Sequence, residues 1–193
     1  MQLLLEATLR PGDPVAIVGL LKHPLAHFGL ERGVHVAAVA ALELLALRGG
    51  VADVDISALE PLLEQQLSEQ ALDRHAPQWR KSLPADAIDH ARALARRVAE
   101  ATEPLASALV RRLPEEPGLT ASFGLADWGE RTGRVLEAVT RDARGDLAGL
   151  WSGEAGDTLA SMLGEVIETE GQIDADGPQW IDIVTALLAG QAV

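Results

Sequence analysis

His23, His27, Glu31 and His35 stand four residues apart, the most chemically suggestive spacing in the chain. On one continuous helix they would form a line, and two histidines at i and i+4 can share a metal ion. Pro24, Gly29 and Gly33 interrupt the span, and the outer pair would lie about 18 Å apart at a helical rise. The preferred reading is a turn between two helices carrying surface histidines, with no metal site.

A second cluster is basic: Arg92, Arg96 and Arg97, then Arg111 and Arg112. Arg92 and Arg96 share a helix face and suit a phosphate backbone, so these five are the candidate DNA contacts. The plainer reading pairs them with nearby carboxylates such as Asp89 and Glu100 on a solvated face. A third group is acidic: Glu154, Asp157, Glu165, Glu168 and Glu170. A metal-dependent nuclease needs acids that converge on one ion. These lie along a single helix with no lysine or turn to converge them, and read as its solvated side. The four tryptophans, Trp79, Trp128, Trp151 and Trp180, are most simply core anchors.

The motifs of common catalytic classes are absent. The only lysines, Lys22 and Lys81, lack the flanking residues of a phosphate-binding loop. Ser122 has Gly124 after it but Thr120 where a nucleophile elbow needs glycine. With no cysteine, disulfides, thiolate zinc sites, cysteine-ligated iron–sulfur clusters and thiol nucleophiles are excluded. No catalytic residue, cofactor-binding residue or metal ligand is assigned.

The elements that must position these side chains are helical. Hydrophobic residues make up 48% of the 193, yet the aromatics are four Trp, two Phe and no Tyr. A core built from Leu, Ala and Val suits helix packed on helix, and strand-favouring residues are scarce. The fold class expected is all-α, an irregular bundle of about six or seven helices. The net charge of −13 opposes polyanion binding, because phosphate neutralisation supplies much of a DNA binder's affinity. No apolar run reaches the length of about 20 residues that spans a bilayer, and the N-terminus lacks a basic signal-peptide region. A cytoplasmic location is the expectation.

Asp13-Pro14 predicts a helix start, and Pro24 a stop. A helix over 31–47 ends at Gly49-Gly50; its apolar residues, Val34, Val36, Val39, Leu42, Leu45 and Ala46, cover much of its surface, which predicts burial. Ser57 with Glu60 reads as a capping box for a helix to Leu72. Residues 73–83 read as irregular, with Trp79 docked on the core. The longest helix follows Pro84 and runs to about Leu113, with a kink expected at Pro104. Residues 114–118 form the clearest linker, separating an N-terminal helical part (1–113) from a C-terminal one (119–193) that together can form one packed domain. Helices over 122–142, 153–170 and 176–188 complete the pattern, with Asp176 capping the last. Lys22 reads as a cation at a helix C-terminus, favoured by the dipole.

Several stretches carry a family resemblance. They are Gly19-Leu20-Leu21-Lys22-His23-Pro24-Leu25-Ala26, Ala41-Leu42-Glu43-Leu44-Leu45-Ala46-Leu47-Arg48-Gly49, Leu150-Trp151-Ser152-Gly153-Glu154-Ala155-Gly156-Asp157 and the closing Ala186-Leu187-Leu188-Ala189-Gly190-Gln191-Ala192-Val193. In this order they resemble the alphaproteobacterial type of AddB, the double-strand break repair subunit of the AddAB helicase–nuclease.

The resemblance implies an internal piece of a longer chain, a helicase accessory subdomain with the polypeptide continuing past Val193. It implies the rest of an AddB-like chain and an AddA-like motor subunit as partners, with DNA met only in the full complex. The family's nuclease acids and cluster-binding cysteines would lie outside this stretch, so no residue here inherits their roles. The function implied is a non-catalytic scaffold. The alternatives are a DNA-contacting module using the arginine strip and an unrelated protein–protein interaction domain.

Overall fold

A computed structural model describes residues 1–10, 12–48, 54–72, 83–110, 122–147, 149–169 and 173–191. The fold is all-α, with eight α-helices among the described residues: α1 (Gln2–Leu9), α2 (Pro14–Lys22), α3 (Arg32–Leu42), α4 (Leu59–Leu72), α5 (Ala85–Val110), α6 (Leu125–Thr140), α7 (Gly153–Ile167) and α8 (Gly177–Gln191). A two-residue antiparallel pairing joins β1 (Phe123–Gly124) to β2 (Asp174–Ala175), with Phe123 opposite Ala175 and Gly124 opposite Asp174. The linker at 114–118, Trp79, and the Gly49-Gly50 stop lie outside the described residues.

Local chemistry sets most boundaries. The Asp13 carboxylate accepts from the Val15 N–H, and Pro14 opens α2 where its missing N–H costs nothing. The helix ends at His23, directly before Pro24. At the start of α8 the capping box is reciprocal: the Gln179 N–H donates to the Asp176 carboxylate (2.8 Å) and the Asp176 N–H to the Gln179 side-chain oxygen (2.9 Å).

Other boundaries differ from the expectation. The 31–47 helix is α-helical only to Leu42 and continues as a π turn over Glu43–Leu47. Its apolar residues divide: Val39, Leu42, Leu45 and Ala46 are buried, whereas Val36 is 52% exposed. Before α4 the cap is Asp55, not Ser57: Asp55 accepts from the Ser57 N–H and hydroxyl, closing a short 3-10 turn at Ile56–Ala58. α1 and the strand pair have no counterpart in the sequence reading, and β1 delays α6 until Leu125.

The core centres on α5, which packs against α3, α6 and α4. It presents Ala91, Leu94, Ala95, Val98 and Leu105, all buried, at the 3.6-residue period. The helix continues through Pro104 without a break. The helices before and after residues 114–118 contribute to one hydrophobic cluster: Leu5 and Ile17 belong to it together with Val135 and Val184. Trp128 and Trp180 anchor its C-terminal half, fully buried and stacked with centroids 6.3 Å apart. No helix among the described residues is long and apolar enough to cross a membrane.

Candidate functional site

Of the described arginines of α5, Arg92 and Arg96 sit one helical turn apart and share a neighbour, whereas Arg97, next in sequence, goes to another. Arg92 and Arg96 face α4. The Arg92 guanidinium grips both oxygens of Glu64 through Nε and Nη2, the latter at 3.1 Å, and Nη1 reaches Asp89 at 3.2 Å. Arg96 Nε lies 3.0 Å from Glu60. The Arg92 hydrogen bond holds the Glu64 carboxyl below its ordinary pKa, and the same contact raises that of Arg92. Asp89 is the expected partner, Glu100 pairs with none of these arginines among the described residues, and the principal partners come from a different helix.

Arg97 is rotated about 100° from Arg96 around the helix and takes no part in that strap. Its Nη1 donates to the carbonyls of Phe28 and Gly29, both at 3.2 Å. Gly29 has φ +70°, and a Cβ there would stand 2.7 Å from Arg97 Nη1. Position 29 thus favours glycine both for its backbone and for the close guanidinium. Arg111 and Arg112 lie outside the described residues. The strip expected to face a phosphate backbone is therefore not one surface: two members strap α4 to α5, and a third pins the loop after α2.

The histidine spacing is dispersed as well. His23 caps the end of α2, and its Nδ1 accepts from the Leu25 N–H at 3.2 Å. His27 lies in the loop, and Glu31 precedes α3. His35 was expected at the surface but is 1% exposed, stacked on Phe28 with centroids 6.0 Å apart and tilted against His27 at 6.4 Å. Among the described residues, neither His35 ring nitrogen, nor Nδ1 of His27, has a hydrogen-bond partner. Burial first, then Arg32 and His27, lowers the His35 pKa from 6.5 to about 4, so its ring is neutral near pH 7. Among the described residues no group of three or more His, Asp or Glu side chains is placed to hold a metal ion.

Glu154, Asp157, Glu165 and Glu168 are exposed along α7, the solvated side expected of them, while Glu170 lies outside the described residues. Trp128 and Trp180 are core anchors, as read. Trp151 is half-buried, with its N–H 3.2 Å from Glu137 Oε1.

Sequence reading missed the charges between α2 and α3. Lys22, assigned only to the helix dipole, meets Glu43 at 2.6 Å, and Arg48 reaches the other oxygen of the same carboxylate at 3.3 Å. The signal was present: Glu43 is the lone acid in the apolar run 33–47. Lys22 and Glu43 border a groove of about 360 Å³ whose walls include Leu21, Val36, Val39 and Ala40, with Arg32 at its edge. A separate cavity, also about 360 Å³, lies among Leu4, Leu20, Leu136, Val139 and Leu150. Compared with family models, with curated proteins and with solved structures, the chain matches none.

Proposed function

We propose that this chain is a non-catalytic helical scaffold, whose setting is an AddB-like subunit of an ATP-dependent helicase–nuclease acting in double-strand break repair and recombination. In that setting it is cytoplasmic, packs against the rest of the AddB-like chain and an AddA-like subunit, and meets DNA only in the assembled complex. The AddB setting rests on the ordered sequence stretches alone. The scaffold role rests on one structural observation. Arg92 and Arg96, the pair best spaced for a phosphate backbone, are held by Glu64 and Glu60 of the neighbouring helix. Freeing them for DNA would break the contacts that tie α4 to α5, against the field of a chain with net charge −13.

The test is binding of the pure chain to labelled duplex and forked DNA at low and physiological salt, alongside ATPase and nuclease assays. The scaffold predicts no salt-sensitive affinity and no turnover. Binding that falls steeply with salt and is lost in Arg92→Glu/Arg96→Glu would establish the DNA-contacting alternative instead. Co-expression with an AddA-like subunit and the remainder of an AddB-like chain tests the setting: the chain must co-purify with them, and failure to do so removes AddB from the proposal.

A further inference from the structure

We propose that the groove between α2 and α3 is a docking face for an amphipathic helix of a partner protein, one whose apolar stripe is flanked by acidic side chains. The proposal rests on the scaffold reading only in requiring a partner. Shape comes first. From Arg32 to Leu42, α3 runs about 15 Å, about three helical turns, along a groove of about 360 Å³. Val36, Val39 and Ala40 line it from α3 and Leu21 from α2. Val36 is 52% exposed at a position where helical periodicity alone predicts burial. Val36 and Ala40, one turn apart on α3, are both exposed, and helix-in-groove recognition seats the apolar anchors of a partner helix against such positions.

Charge selects the occupant. Of the charged residues that line the groove, Lys22 and Arg32 are positive and Glu43 is negative, so the lining carries one net positive charge, and Glu43 is already held by Lys22 and Arg48. Arg32 has no carboxylate partner among the described residues. Its Nη1 has only long contacts, 3.5 and 3.4 Å, to the carbonyls of Pro24 and Ala26. The groove is thus edged by positive charge in a chain with 29 acidic residues against 16 Lys and Arg. A second copy carries the same net −13 and is repelled at long range. A helix with Asp or Glu beside its apolar stripe gains Arg32 and Lys22 as partners while covering Val36.

Two synthetic probes test this: labelled helical peptides of about three to four turns with one leucine stripe, flanked by glutamates in one and lysines in the other. At low salt the glutamate peptide is expected to bind the chain about tenfold tighter or more, a difference of about 1.4 kcal/mol. The chain's net charge alone favours the lysine peptide. Arg32→Glu is expected to reverse the order, and Val36→Asp to weaken both peptides. Both positions are exposed, so circular dichroism and thermal melts confirm that the variants fold. A preference for the lysine peptide, no binding of either, or binding indifferent to Val36→Asp overturns the proposal. Sedimentation that shows a dimer dissolved by Val36→Asp overturns it in favour of a second copy. DNA binding or turnover by the pure chain would remove the scaffold reading while leaving the peptide result intact, so the two failures are distinguishable.

Discussion

Trp128 and Trp180 are as buried as His35, yet each indole N–H has an acceptor while neither ring nitrogen of His35 has a partner among the described residues. Trp128 donates to the Ala175 carbonyl at 2.8 Å, a bond the β1–β2 pairing sets up by holding Ala175 beside α6. Trp180 donates to the Thr132 hydroxyl at 3.0 Å. The C-terminal half therefore buries large aromatic area with its polar atoms satisfied, the arrangement that stabilises a core. The histidine region buries a ring against Phe28 and His27 without that compensation. An unpaired buried polar atom costs on the order of 1–3 kcal/mol. Stability is thus concentrated around the tryptophans, and the region under the α2–α3 groove is where the fold tolerates unfavourable burial. That region also holds the groove proposed as the docking face.

Four changes break or sharpen this contrast. Trp128→Ala has the largest effect: it empties a fully buried site next to Trp180 and removes the tie to Ala175, with an expected loss of about 3–5 kcal/mol in urea unfolding. Next, Trp180→Phe keeps most of the apolar surface but strands the Thr132 hydroxyl, and should cost about 1–3 kcal/mol. The paired variant His35→Leu removes two unsatisfied nitrogens, and its midpoint should stay level or rise. If His35→Leu destabilises as much as Trp180→Phe, the contrast between the two regions fails.

The third is a pH profile. The folded pKa of His35 lies at about 4, below the unfolded 6.5. The unfolded chain therefore binds more protons between these values, and the stability that His35 contributes is lost as pH falls from 6.5 towards 4. Thermal melts across that window should decline in the parent chain and flatten in its upper part in His35→Leu. An unchanged slope would place the acid sensitivity elsewhere. The smallest effect belongs to the strap: Arg92→Ala should cost only about 0–1 kcal/mol, because the pair is largely solvated. A larger loss would mean that α4 depends on the strap for its attachment.

Much of the helical framework was legible in sequence because helix boundaries are local. Asp13-Pro14, Pro24 and Asp176 act on N–H and C=O groups within a few residues, and the α5 stripe follows from the helical period alone. α1 was missed because Met1–Arg10 carries neither a side-chain cap nor an interrupted apolar stripe to mark it. The strand pair was missed because β1 and β2 meet across about fifty residues. The arginine strip was half legible: its residues and their shared face were, but not their partners.

What the sequence determined by itself is the all-α class, most helix starts and stops, the apolar face of α5 and the absence of the catalytic motifs searched for. Each depends on composition or on interactions within a few residues along the chain. Only the tertiary structure decided that Arg92 belongs to Glu64, 28 residues away, that Arg97 points to Gly29 instead, and that His35 is buried while Val36 is exposed. These outcomes depend on which helix lies alongside which. Side chains one residue apart on a helix diverge by about 100°, so the identity of the neighbouring helix, which no local spacing encodes, sets the fate of each.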